Sequence, residues 1–494
     1  MPTGFARLQV AAANIVALTF YLAVALGVVV TGFYSLTTHG AFQAAVLLSL
    51  MLGWLGLIWH FRDQFGATVS RLFRWTCGLS LYRWVFICTL LGLFLRIVIG
   101  FLLHGQPQSD FLEYFTLAKR LAFEGRYYSE DALALWAPGL PLFLSIFLFV
   151  FGDHAWIPLA ACAVLFLLSI SAVAYLAEMQ FGEFAARLSV LLIAIWPTAV
   201  LMSWYATKEL LVLPLITGSL LFYFAGRRRR SLALTALSGA CGGYAALVYP
   251  ALLLSPLIYA VDEVFAAARF RRVVSRLVVF SLLFFAVITP WTVRNYLALG
   301  HFIPISTTGG ITLYMTNNPE ATGQSMPLEW QRFGDDEITR ERNARRAAID
   351  WIIHNPDRFL LLSFKRLTYF LSGDDVGAFW ALEKGMGWSP VAYGTVYALC
   401  DVFWIAALSL VLVGCTSQHR TFPDCERGDV AMMLYFLYGA TADTIFEGHG
   451  NHHIGFYGIL ACFAALTALA PAASQWLASD ARQTEGTIAS RDGN

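Results

Sequence analysis

Residues 84–128 read WVFICTLLGLFLRIVIGFLLHGQPQSDFLEYFTLAKRLAFEGRYY. Positions 84–103 are apolar apart from one charge, Arg96. A helix needs about 20 such residues to cross a bilayer. After a short polar link, Phe111, Tyr114/Phe115, Ala118 and Leu121/Ala122 recur at helical spacing. Residues 111–123 therefore read as an amphipathic helix lying on the membrane surface. The stretch is a span that surfaces and turns into an interfacial helix, with two acids at the turning point.

Working outward, the rest of the chain agrees. Of 494 residues, 58% are hydrophobic and only 13% charged, against about 25% charged in soluble domains. Mean hydropathy is +0.63. The formal net charge is +1, so no basic field exists to hold nucleic acid. A soluble enzyme and a disordered chain are excluded as well. The 8 cysteines form no CxxC pair and no zinc-type spacing. The first apolar block is long and lacks a small-residue cleavage site, so no cleavable leader is expected.

Apolar runs predict about twelve spans, near 10–33, 41–60, 84–103, 155–178, 187–203, 209–226, 231–248, 250–266, 276–293, 390–414, 430–446 and 454–472. Orientation follows the bias of Lys and Arg in short loops. One set of loops carries Arg62, Arg71, Arg74, Arg83, Arg187, the Arg227–Arg230 run, Arg269, Arg271, Arg272, Arg276, Arg420 and Arg427. The opposite short loops carry only Lys119, Arg120, Arg126 and Lys208. Both termini are thus expected on the cytoplasmic side. Two outer segments are long, 104–154 and 294–389, and loops of that length are usually functional. In the second, 337–353 reads as a charged helix and 359–371 as an interfacial one.

The expected organisation has five parts. Residues 1–83 form a separable membrane hairpin with its cytoplasmic loop, and 84–293 a catalytic membrane region with its outer loop 104–154. Residues 294–389 form the long outer loop, 390–472 the C-terminal spans, and 473–494 a cytoplasmic tail.

Asp110 and Glu113 share a helix face just outside a span. They read either as a capping box or as a general base with its neighbour at the membrane–water boundary. Arg96 within a span is costly and calls for an acidic partner or a polar cavity. Lys208, followed by Glu209, sits at an outer helix start, where an ammonium either snorkels to the interface or holds a phosphate as a point charge. Arg294 closes the ninth span within PWTVRNY, and the Gly-rich and polar stretches Ser306–Gly310 and Thr316–Gly323, which include Asn317 and Asn318, follow. Such turns let backbone N–H groups approach an anion. His449, His452 and His453 crowd the last outer turn. They read as a neutral polar turn, a phosphate or sugar ligand, or a zinc site of no recognised spacing.

These motifs, in this order, resemble the GT-C class of membrane glycosyltransferases, in particular the bacterial group of protein O-mannosyltransferases and the lipid A aminoarabinose transferase. The likeness runs from SDFLEYFTLAKRLAFEGRYY and WAPGLPLFL through WYATKELLVLPL to ITPWTVRNYLALGHFIPISTTGGITLYMTNNPEATG, and covers roughly residues 84–470. It departs at Tyr249-Pro250, where the family often has Arg-Pro, and in the last outer turn, where histidines replace an arginine and prolines.

The resemblance implies an inverting transfer of a sugar from a polyprenyl-phosphate donor to a hydroxyl of a glycan, lipid or protein. Asp110 would be the base, with Glu113 tuning it, orienting the acceptor or binding a divalent ion. Arg96, Tyr114, Lys208, Glu209, Arg294, Asn317, Asn318, His449, His452 and His453 would bind substrate. No resident cofactor or metal ligand is assigned. The expected location is the bacterial inner membrane, with the active face periplasmic. A transporter, which would show substrate flux into sealed vesicles, and an O-antigen ligase or polymerase, which is not expected to need the early acid pair, are the alternatives.

Overall fold

The computed structural model describes residues 4–38, 78–103, 108–129, 132–265, 270–324, 329–417 and 429–465, with single positions 49, 76 and 326. Among the described residues the regular elements are helices, and extended backbone pairs only at the bridge Ser129–Ala132. Six helices are long and apolar enough to cross a membrane: Gln9–Gly32, Leu81–Leu103, Ile157–Phe181, Lys208–Arg229, Phe270–Leu299 and Tyr393–Leu412. A seventh crossing is the pair Glu183–Ile195 and Pro197–Trp204, bent by 43° at its break. The shorter apolar helices Leu232–Val248, Val430–Ile445 and His452–Ala465 fall where spans were expected. The chain is a multi-pass, all-α membrane protein.

The expected span 41–60, apart from position 49, and the tail from 473 lie outside the described residues. The expected span 250–266 is not one helix. Pro250 and Pro256 each lack an N–H, and the chain there forms a 3₁₀ turn, Pro250–Leu254, followed by the ten-residue helix Pro256–Phe265.

Packing between helices uses small residues, as lipid-embedded contacts do. Leu232–Val248 lies between Lys208–Arg229 and Phe270–Leu299. On it, Gly239 and Gly243 are one turn apart, and a Cβ at either would run into the backbone carbonyl of Phe280 or Phe284. The first helix, Gly4–Thr38, packs against the C-terminal helices Pro390–Ser417 and Asp429–Ile445. Phe20 meets Phe436 and Phe463 there, and the Thr31 hydroxyl lies 3.3 Å from the Leu371 carbonyl.

The outer segments carry their expected helices. Asp110–Lys119 continues through a π turn to Glu124. The charged helix Glu337–His354 is capped by Asp336, whose carboxylate accepts from the Ile338 and Thr339 N–H groups at 3.1 and 2.9 Å. Pro356–Leu371 buries Leu362, Arg366 and Phe370. A helix that sequence periodicity did not mark, Thr308–Thr316, packs on Glu337–His354.

Candidate active site

A cavity of about 370 Å³ opens where the two outer segments meet the outer ends of the membrane helices. Its acidic and basic lining groups are Asp110, Lys208, Glu447 and His452, and its aromatic walls include Tyr114, Trp136 and Tyr249. Volumes of this order suit small ligands.

Each wall is fixed by a nameable contact. Asp110 is the first residue of its helix, placed there by Ser109 at φ 52°. Tyr114, one turn on, is buried and meets Trp136 edge to face at 5.2 Å. Lys208 opens the helix Lys208–Arg229, where the Thr207 side chain caps the Leu210 N–H at 3.2 Å. The remaining wall, Ser306, Thr308 and Gly309, is tied to the first outer loop. Thr308 donates to the Leu135 carbonyl at 2.7 Å, and the Thr307 N–H to Ala134 at 2.9 Å. One buried carboxylate, Glu337, takes the Leu133 and Ala134 N–H groups at 2.7 and 2.9 Å and the Thr307 hydroxyl at 2.5 Å.

Charges in the cavity are mutually opposed. Burial holds the Asp110 carboxyl above its ordinary range; Lys208 pulls it back down, while Glu447 and Glu209 push it up. Lys208 Nζ lies 3.8 Å from Glu209 Oε1, which also receives Asn451 Nδ2 at 3.2 Å. Burial works against a charged His452, but Asp443, 2.9 Å from its Nδ1, outweighs it and raises the imidazole above its usual range. His449 goes the other way: burial and the His452 charge lower it.

The structure therefore brings Asp110, Tyr114, Lys208 and His452 to one cavity, with Glu209 directly behind Lys208. Other expected site residues lie elsewhere. Asp110 and Glu113 form no capping box: the helix shows no side-chain cap, and Glu113 instead accepts the Ser129 hydroxyl. Among the described residues Arg96 pairs with backbone carbonyls and not with an acid. It donates to the carbonyls of Gly92, Ile193 and Ala194 at 3.1, 3.3 and 3.1 Å and lies 3.9 Å from the Phe166 ring. Pro197 has no N–H to offer Ile193, so the guanidinium satisfies the carbonyls that the bend exposes. Arg294 holds the Tyr127 and Leu133 carbonyls at 2.5 Å each.

Asn317 donates to the Leu313 and Ile445 carbonyls and accepts from Arg366, and Asn318 donates to the Tyr314 carbonyl. The three histidines do not converge. His453 sits between the Phe370 carbonyl and Asp374, stacked on Trp404 at 4.1 Å, and His449 lies 5.9 Å from the His452 ring. Gly310, in the Gly-rich stretch, lets its helix lie against the Glu341 backbone. Among the described residues no three His, Cys, Asp or Glu side chains gather as a metal site.

Four participants escaped sequence reading. Glu447 and Tyr249 stand in segments already singled out. Asp443 was signalled by being an acid inside an apolar run. Glu337 carries no such mark.

No family model and no curated protein matches the chain. Solved structures do. The oligosaccharyltransferase of Archaeoglobus fulgidus in its apo form aligns at a TM-score of 0.53 and 15% identity, over 83% of this chain and 52% of that one. The same organism's oligosaccharyltransferase AglB, in complex with an inhibitory peptide and a dolichol-phosphate, aligns at 0.46 and 15%, over 80% and 50%. ArnT from Cupriavidus metallidurans bound to undecaprenyl phosphate aligns at 0.41 and 14%, over 79% and 78%. This chain spans about half the length of the oligosaccharyltransferases. The first of these likenesses shows the fold: it is GT-C-like, the polytopic helical fold of membrane glycosyltransferases.

Proposed function

We propose that this chain is an inverting glycosyltransferase that moves a sugar, hexosyl or pentosyl, from a polyprenyl-phosphate donor to an acceptor hydroxyl at the periplasmic face of the inner membrane. The acceptor is a glycan, lipid or protein. The observation that carries the reading is the meeting of Asp110, Lys208 and His452 in one cavity at the ends of membrane helices. The GT-C-like fold supports it.

In this reading Asp110 takes the proton of the acceptor hydroxyl as that oxygen attacks the anomeric carbon. Its raised affinity for protons makes it a better base than an exposed carboxylate, and Lys208 keeps it from staying protonated. The bond to phosphate breaks, and the charge that develops there faces Lys208 and His452. Tyr114, Trp136 and Tyr249 offer apolar faces to the sugar. The proposed catalytic unit is 84–293 with its outer loop, closed by the segment 294–389 and the C-terminal spans. Arg96, Arg294, Asn317, Asn318 and His453 take positioning roles in it.

The test is the Asp110→Asn variant. A single base contributes about 10²–10⁴-fold, so transfer from a polyprenyl-phosphate sugar falls by at least about a hundredfold with expression unchanged. Mass spectrometry of envelope glycans and lipids from a deletion strain names the sugar and acceptor. Near-normal transfer by Asp110→Asn removes the base from the scheme.

A further inference from the structure

The last outer turn holds an arrangement that the proposed chemistry does not by itself require. Asp443 is 1% exposed and His452 6%. The two oxygens of Asp443 are used differently: Oδ1 accepts the Tyr249 hydroxyl at 3.0 Å, and Oδ2 faces His452 Nδ1 at 2.9 Å. Tyr249 and His452 both line the cavity, with ring centroids 5.6 Å apart. One carboxylate thus sets two cavity groups from behind. With Nδ1 committed to Asp443, the ring's remaining nitrogen is Nε2.

We infer that Asp443 is a positioning residue that fixes His452 as a proton-bearing hydrogen-bond donor to the anionic phosphate of the lipid carrier, and that carrier binding is therefore pH-dependent. This rests on the function proposed above. In the step, the anomeric carbon–oxygen bond breaks with its electron pair going to the phosphate oxygen. The bond from the acceptor oxygen forms, and the acceptor's proton goes to Asp110. His452 keeps its proton and donates a hydrogen bond to the leaving phosphate. The groups that bear on the imidazole are Asp443, Tyr249, Lys208, Glu447 and His449. Lys208 opposes the charged ring, and Asp443 and Glu447 favour it.

The chemistry predicts a bell-shaped binding profile. Its rising limb comes from the second ionisation of the phosphate, near pH 6. Its falling limb comes from loss of the His452 proton, at a pH above the ordinary histidine value because the imidazole is held up. A fixed cation would give no falling limb in this range.

The experiment measures binding of undecaprenyl phosphate to the full-length chain in detergent micelles from pH 5 to 9, with thermal unfolding of each variant as the check on folding. Asp443→Asn should move the falling limb to lower pH and weaken binding at pH 7.5 about tenfold, as expected for a lost charge-assisted contact. Tyr249→Phe should move the limb the other way, because Asp443 then loses its competing donor. His452→Lys should abolish the limb. Opposite shifts from two small changes on one carboxylate cannot come from general damage. If Asp443→Asn does not fold, the Tyr249→Phe and His452→Lys profiles decide.

An unchanged limb in Asp443→Asn, or shifts in the same direction from both variants, overturns the inference while leaving carrier binding intact. Failure of the wild-type chain to bind undecaprenyl phosphate at any pH overturns the proposed function, and this inference with it.

Discussion

Removal of the Glu337 carboxylate should disable the site from outside it. Glu337 is 6% exposed and is not among the residues lining the cavity. It does hold two N–H groups of the first outer loop and one hydroxyl of the second outer segment. In Glu337→Ala, the Leu133 and Ala134 N–H groups lose their acceptor. A buried donor left unsatisfied costs about 1–3 kcal/mol, so the docked arrangement loses about 2–6 kcal/mol. Arg294 and the contacts of Thr307 and Thr308 still hold the loops, so the segments should loosen rather than separate.

A competent state populated at only a tenth of its former level raises the apparent donor Kd tenfold. The assay pairs limited proteolysis of the purified chain with initial rates of sugar transfer against donor concentration. Faster cleavage within 104–154 or 294–389 and a rise of about tenfold or more in KM are expected. Glu337→Gln, which keeps one carbonyl oxygen, should fall between. If Glu337→Ala is cut no faster than wild type and transfers normally, the two outer segments are not coupled through this residue.

The remaining expectations concern the pH response and the packing. Because Asp110 is held above the ordinary carboxylate range, transfer should decline on acidification from a pH above that range. Since Lys208 lowers Asp110, Lys208→Met should move that acid limb to higher pH, and an unmoved limb would separate the two groups electrostatically. Arg96→Ala leaves the carbonyls of Ile193 and Ala194 unsatisfied at the helix bend; about 2–6 kcal/mol of destabilisation is expected, read as a lower thermal midpoint in detergent, with no change in undecaprenyl phosphate affinity among the folded molecules. Gly243→Ala forces a methyl onto the Phe284 carbonyl, which should cost about 1–3 kcal/mol as overpacking does, measured by the same unfolding assay.

How far these features were readable depends on how local their physics is. The spans follow from apolar runs, because a bilayer penalises anything else. The outer helices near 111–123, 337–353 and 359–371 follow from local pattern, whereas Thr308–Thr316 does not. The break at 250–266 was written in Pro250 and Pro256, yet an averaged hydropathy masks two prolines in an apolar run. Asp110 and Lys208 could be singled out because each sits at a helix start beside a span. Asp443 and Glu337 act across 9 and 203–204 residues respectively. Nothing in the residues next to them announces the partner, so neither pairing was legible without the fold. The same reason explains His453: its neighbour His452 faces the cavity, while His453 turns toward Asp374. Adjacent positions on a tight turn point in different directions, and sequence proximity cannot separate them.

The arginines explain why the basic groups lining the cavity are Lys208 and His452. Arg96 and Arg366 each reach backbone carbonyls on two segments, and Arg187 and Arg294 each take two carbonyls of a segment distant in sequence. Arg187 takes Thr76 and Leu79 at 2.6 and 2.7 Å. Arg366, fully buried, takes Thr316 and Thr444 at 2.7 Å each, along with Asn317 Oδ1 at 3.2 Å. In a water-poor interior an unsatisfied carbonyl costs several kcal/mol, and helix ends and bends supply such carbonyls. Guanidinium carries five donors in a rigid fork, so one side chain can serve two chain segments and stay put. An arginine so committed offers few N–H groups to a ligand. Lysine and histidine have fewer or more mobile donors and are poorer at this structural task, which leaves them for a cavity where charge must be presented rather than consumed. An arginine inside an apolar span therefore points first to a nearby break in a helix, and Arg96 beside Pro197 is that case.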